Sequence, residues 1–143
     1  MRSEDLIGVW REQNREIISA AGGVTADVPR ASQIMYTPDG FMSVVSMPEE
    51  RESVFETVAR MDLNATTPEA RSEAANGVTS YAGSYRVVGE EVHHTIFASL
   101  NPNRVGNTQI RHVTLSGDNL TLTTPPDTQN NYSRIHWRKV ATR

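Results

Sequence analysis

The chain has 143 residues and a formal charge of −3, with a pI near 5.8; that is the usual size of one domain, able to bury a core without covalent staples. Cysteine is absent, which excludes disulfides, thiolate metal sites and a cysteine nucleophile and suits a reducing compartment. The acidic balance speaks against nucleic acid as a partner, because phosphate contacts need a basic face. No apolar stretch is long enough for a signal-peptide core or a membrane span, so the expectation is a soluble cytoplasmic protein.

No internal period or low-complexity tract occurs, which sets repeat architectures aside. Residues 6–19 place Trp10, Ile17 and Ile18 among polar residues and read as a long first strand; 21–30 reads as loop and 33–36 as strand. Thr37-Pro38-Asp39-Gly40 fits a turn, with proline fixing φ at its second position, and 41–45 is the return strand. The period then changes. Pro48-Glu49-Glu50 has the form of a helix opening, followed by Val54, Phe55, Val58 and Met61 at helical spacing. Thr67-Pro68-Glu69 is a second opening, and Ala70, Ala74, Val78 and Tyr81 extend that face to Gly83.

The last third is strand-rich. Residues 84–88 meet 92–100 across Gly89-Glu90, a two-residue hairpin signal, and 109–116 meet 120–124 across Gly117-Asp118. Residues 101–107 form a loop, and 132–140 is the final strand. The predicted fold is all-β: an eight-stranded antiparallel up-and-down β-barrel, with two short helices inserted between strands 3 and 4, in a single domain over 1–143. A barrel of that strand number has room inside for side chains or one small ligand.

Gly8-Val9-Trp10 matches the Gly-x-Trp signature that opens lipocalins. Taken with Tyr36-Thr37-Pro38-Asp39-Gly40-Phe41-Met42, Tyr81-Ala82-Gly83-Ser84-Tyr85, Val92-His93-His94, Ser99 to Gly106, Arg111 and Leu120-Thr121-Leu122, it resembles the bacterial and fungal lipocalin-like domain family. The matches run over residues 6–138. The resemblance implies a barrel with an internal pocket; related barrels include ligand carriers and cofactor-free isomerases and cyclases. One departure concerns closure. Where the family tends to end Trp-Glu-Arg, this chain has Trp137-Arg138-Lys139. A late arginine covers the first-strand tryptophan in lipocalins, so Arg138 or Lys139 is expected over Trp10, and the two point to opposite faces.

Period-two alternation sorts the strands. Val92, His94, Ile96, Ala98 and Leu100 share one face, which places His94 inside; Arg111 alternates with Val113 and Leu115 and faces inward too. Ile135 shares a face with Trp137, and Tyr85 with Val87. A buried imidazole and guanidinium are costly without partners, so His94 is a candidate acid or base and Arg111 a candidate anion stabiliser. Tyr36, Met42, Tyr85, Ile96, Val113 and Trp137 are the candidate ligand contacts. The alternative gives His94 a structural bond to a carbonyl or a tyrosine, and Arg111 an internal acid at the closed end. Adjacent His93 and His94 point to opposite faces, no His-Glu-x-x-His spacing exists, and neither a metal nor a cofactor is expected.

Three functions are consistent with this pattern. The first is a binding module whose partner is a small hydrophobic molecule oriented by His94 and Arg111. The second is a cofactor-independent isomerase, cyclase or lyase working by proton transfer in the barrel. The third is a structural homodimer formed through the outer strand faces or the middle helices, with no usable cavity.

Overall fold

The computed structural model describes residues 1–51 and 67–142. A 3-10 turn, Ser3–Leu6, leads into nine strands: β1 (Gly8–Ile18), β2 (Val24–Ala26), β3 (Arg30–Tyr36), β4 (Phe41–Pro48), β5 (Thr79–Val88), β6 (Glu91–Ser99), β7 (Thr108–Ser116), β8 (Asn119–Thr123) and β9 (Tyr132–Ala141). Consecutive strands pair antiparallel from β3 to β9, and β1 pairs with both β3 and β9, which closes the sheet. The short β2, expected to be loop, pairs with the end of β1 on the same edge as β3. The two share one place in the circumference, so the barrel is eight strands around. Closure leaves no long unpaired edge.

Helix α1 (Pro68–Ala75) is capped by Thr67, whose hydroxyl accepts from the Ala70 amide at 3.1 Å. It stops at Asn76, and residues 79–83, expected to continue the helical face, belong to β5. The spacing of Ala70, Ala74, Val78 and Tyr81 fits a helical face, but pairing with β4 draws Tyr81 into the strand, where it and Tyr85 point into the core together. Pro48, expected to open a helix, ends β4. The face through Val54, Phe55, Val58 and Met61 lies outside the described residues.

One end of the barrel is packed solid. Trp10, fully buried, donates its indole N–H to the Leu6 carbonyl at 2.9 Å. The Lys139 ammonium lies 4.8 Å from the centre of its ring, so lysine and not Arg138 covers the tryptophan. Gly8 is required here: its φ is +136°, and a Cβ would strike the Ala141 carbonyl oxygen. Tyr36, Met42, Tyr85, Val92, Val113 and Leu120 belong to the same buried cluster as Trp10.

Three irregularities interrupt the pairing, the first between Val9 and Trp10 of β1 against β9. On β1 the register against β9 shifts between Glu12 and Asn14. On β6 the pairing jumps from Ala98 to Ile96 against Ala82 and Gly83, which makes Phe97 an extra residue and turns Ala98 to the solvent side with it. Val92, His94 and Ile96 therefore face in as expected, whereas Ala98 and Leu100 are exposed.

Candidate functional site

His94, at the middle of β6, is 1% exposed. Its Nε2 lies 2.7 Å from the Tyr36 hydroxyl and its Nδ1 2.7 Å from the Tyr81 hydroxyl. Burial, with the nearby Arg111 charge and His93 adding to it, pushes its pKa down to about 3, so the ring is neutral at ordinary pH. A neutral imidazole has one N–H and one lone pair. Tyr36 is fully enclosed, and among the described residues His94 is its hydroxyl's one hydrogen-bond partner. It must donate, since a stranded buried O–H costs roughly 1–3 kcal/mol. Nε2 is then the acceptor, Nδ1–H donates to the Tyr81 oxygen, and the Tyr81 O–H is left free. Burial raises the pKa of both tyrosines, which keeps them protonated donors.

Above this relay opens an interior cavity of about 170 Å³. Ile34, Val44, Leu122, Ile135 and Trp137 form its apolar wall; Tyr81, His94, Arg15, Arg104 and Arg111, with the hydroxyls of Ser46, Thr79, Thr124 and Ser133, supply its polar groups. The volume is close to the roughly 150 Å³ of an engineered protein cavity that holds one benzene ring. Larger recesses of about 510, 610 and 410 Å³ also occur, none of them lined by His94; the second reaches the buried side chains of Met42 and Ile96 beside the exposed Phe41 and Phe97, and the other two reach Tyr85 and Val113.

The three arginines are not equivalent. Arg15 forms a two-pronged bond with Glu12, at 2.8 Å from Nε and 2.6 Å from Nη2, and the Glu12 side chain is only 2% exposed. Residues three apart on a regular strand face opposite ways; the register shift between Glu12 and Asn14 turns both inward. Arg111 donates to the Ile110 carbonyl at 2.9 Å, and Arg104 lies 5.9 Å from the centre of the Tyr81 ring. Neither has a carboxylate within ion-pair distance among the described residues. Burial draws the Arg111 pKa down, with Tyr81 opposing the shift and Arg104 reinforcing it.

Of the residues singled out from the sequence, His94, Arg111 and Trp137 meet at this cavity. Tyr36 touches it only through His94, and Tyr85 donates to the Thr37 carbonyl at 2.8 Å. Met42, Ile96 and Val113 are core residues outside the lining. Sequence reasoning set Tyr81 near Tyr85 and Val87 without giving it a role, since its segment reads as helical, and it missed Arg15, hidden by strict alternation. It also missed Arg104, which stands in a 3-10 turn (Pro102–Arg104) capped by Asn101. Among the described residues no cluster of histidine or acid side chains could hold a metal ion, and no helix is long and apolar enough to cross a membrane.

A family model described as a lipocalin-like domain matches residues 7–142. No curated protein matches the chain. Among solved structures, a lipocalin-like protein from Bacteroides uniformis is similar at 15% identity and a TM-score of 0.50, covering 94% of this chain and 98% of its own. An uncharacterized protein from Bacteroides eggerthii is similar at 12% identity and a TM-score of 0.46, with coverage of 94% and 98%.

Proposed function

The chain belongs to the lipocalin-like domain family, and from that premise we propose that its barrel is a binding module for one small, mostly apolar molecule held in the interior cavity. The observation that supports this reading is the cavity itself: beside a core in which Trp10 is fully buried, the interior leaves a ring-sized space where apolar side chains meet convergent polar groups. Arg111 and Tyr81 orient the polar end of the ligand. His94 acts through Tyr81 as a positioning residue.

Binding is favoured over proton-transfer catalysis by the state of His94. A general acid or base works best with a pKa near the operating pH and within reach of its substrate. His94 has both ring nitrogens bonded to tyrosines and a pKa pushed to about 3. Native mass spectrometry of freshly purified protein tests the reading. A small molecule retained by the wild type and lost on filling the cavity with Val44→Trp supports it. Conversion of that molecule to product by the wild type would replace it with the isomerase, cyclase or lyase alternative.

A further inference from the structure

We propose that the ligand of the cavity is a small monocarboxylate, an aromatic or branched acid about one ring in size, with its carboxylate between the Arg111 guanidinium and the Tyr81 hydroxyl. This rests on the reading of the barrel as a binding module and adds the chemical class of what it binds.

The charge balance of the lining points to an anion. Three guanidinium groups reach the cavity, from Arg15, Arg104 and Arg111. Glu12 neutralises Arg15 through both carboxylate oxygens. Arg104 and Arg111 therefore leave a surplus of positive charge among the described residues, where two cations repel and each loses hydration. A bound carboxylate reverses both penalties. Its two oxygens match the flat fork of a guanidinium, a fit that a neutral amide or alcohol lacks.

Donor counting points the same way. The order of bonds from Tyr36 through His94 to Tyr81 leaves the Tyr81 O–H as a donor without an acceptor, on the wall that Arg111 shares. Trp137 also lines this wall, and its indole N–H is buried without an acceptor among the described residues. Ser46, Thr79, Thr124 and Ser133 add hydroxyls that can donate or accept, whereas the guanidiniums only donate; donors are thus in excess, and a carboxylate only accepts. Ile34, Val44, Leu122 and Ile135 supply the apolar part of the wall. An inorganic anion would leave these side chains against empty space or water, so the acid must have an apolar body.

The test is a binding series by isothermal titration at pH 7.5, with benzoate, its neutral isostere benzamide, the cation benzamidine, and inorganic phosphate. Trp137, in the cavity wall, gives a fluorescence readout in parallel. The expected result is benzoate tightest by about tenfold or more over benzamide, as for a charge-assisted pair, with benzamidine and phosphate not bound. Arg111→Met should abolish the preference for benzoate over benzamide, and Tyr81→Phe should reduce it. Equal binding of benzamide and benzoate, or binding of phosphate alone, would overturn the carboxylate assignment and leave the binding module standing. No binding in any arm, with no small molecule co-purifying, would overturn both. The comparison of benzoate with benzamide uses only wild-type protein and does not depend on how the variants fold.

Discussion

Acid should weaken this protein through a single side chain over a defined pH interval. His94 has an ordinary pKa of 6.5 when unfolded and about 3 when enclosed by the barrel. Below pH 6.5 the unfolded chain binds a proton at this position and the folded chain does not. Protonation thus favours unfolding, and stability falls as pH falls, by about 1.4 kcal/mol per pH unit until the folded pKa is reached. Between pH 7 and pH 5 the loss from His94 alone is about 2 kcal/mol. Glu16, whose carboxyl is held below its ordinary 4.5 chiefly by a hydrogen bond from His136, loses its stabilising effect only at lower pH and so stays outside this interval. Urea unfolding followed by circular dichroism at half-unit steps from pH 7.5 to 5 measures the slope. With a urea dependence of roughly 1–3 kcal/mol per molar, the midpoint should fall by about 1 M. His94→Gln keeps a donor and an acceptor for the tyrosines but cannot titrate, so its profile should be flatter by the same 2 kcal/mol or so. Parallel profiles for wild type and His94→Gln would refute the reasoning.

Arg111→Met should raise the stability of the ligand-free protein by about 1 kcal/mol or more in urea unfolding, because a buried cation without an acid is removed. Arg15→Gln should cost roughly 3–5 kcal/mol by stranding the enclosed Glu12 carboxylate, and adding Glu12→Gln should recover most of it; paired unfolding curves decide this. Lys139→Ala should lower stability by about 1–2 kcal/mol through the exposed Trp10 face, whereas Lys139→Arg should hold it, as thermal melts with tryptophan fluorescence will show. Gly83→Ala places a methyl group against the Thr95 carbonyl oxygen at the β5–β6 irregularity and should cost about 2–4 kcal/mol, read as a lower unfolding midpoint.

The hairpins were legible in the sequence because glycine turns and alternation act locally. Gly89-Glu90 and Gly117-Asp118 turn where expected, and alternation put His94 and Arg111 on the inner face. Alternation failed where the strands are irregular. Strict period two separates Glu12 from Arg15 and keeps Ala98 and Leu100 inside; one register shift joins the first pair and another turns the second out. Such shifts are set by how neighbouring strands close on one another, which a single strand does not encode. Tyr81 was given no role for a different reason: its spacing from Ala74 and Val78 continues a helical face, and only the pairing of Val44 with Tyr81 puts it in a strand. The position of Lys139 over Trp10 likewise follows from the irregular pairing of β1 with β9, where Trp10 is opposite Lys139.

The two ends of the barrel have opposite energetic characters, and each makes the other possible. Around Trp10 the inner surface is apolar and filled, the glycine at position 8 lets the first and last strands approach, and the few polar atoms are paired. Burial there supplies the stabilisation of the fold. The other end has a guanidinium without a carboxylate, a tyrosine hydroxyl without an acceptor and an empty space, each of which opposes folding. A self-contained core would have filled that volume with apolar side chains, as Trp10, Met42, Val92 and Leu120 do elsewhere in the interior. Between the two lies the Tyr36–His94–Tyr81 relay, anchored at Tyr36 in the packed layer and ending at Tyr81 in the cavity wall. It fixes the direction in which Tyr81 presents its proton without any residue of the cavity having to do so. Polar groups left unsatisfied at one end of an otherwise well-packed barrel are what a site awaiting an acceptor requires, and the neutral, doubly bonded His94 is the hinge on which their orientation depends.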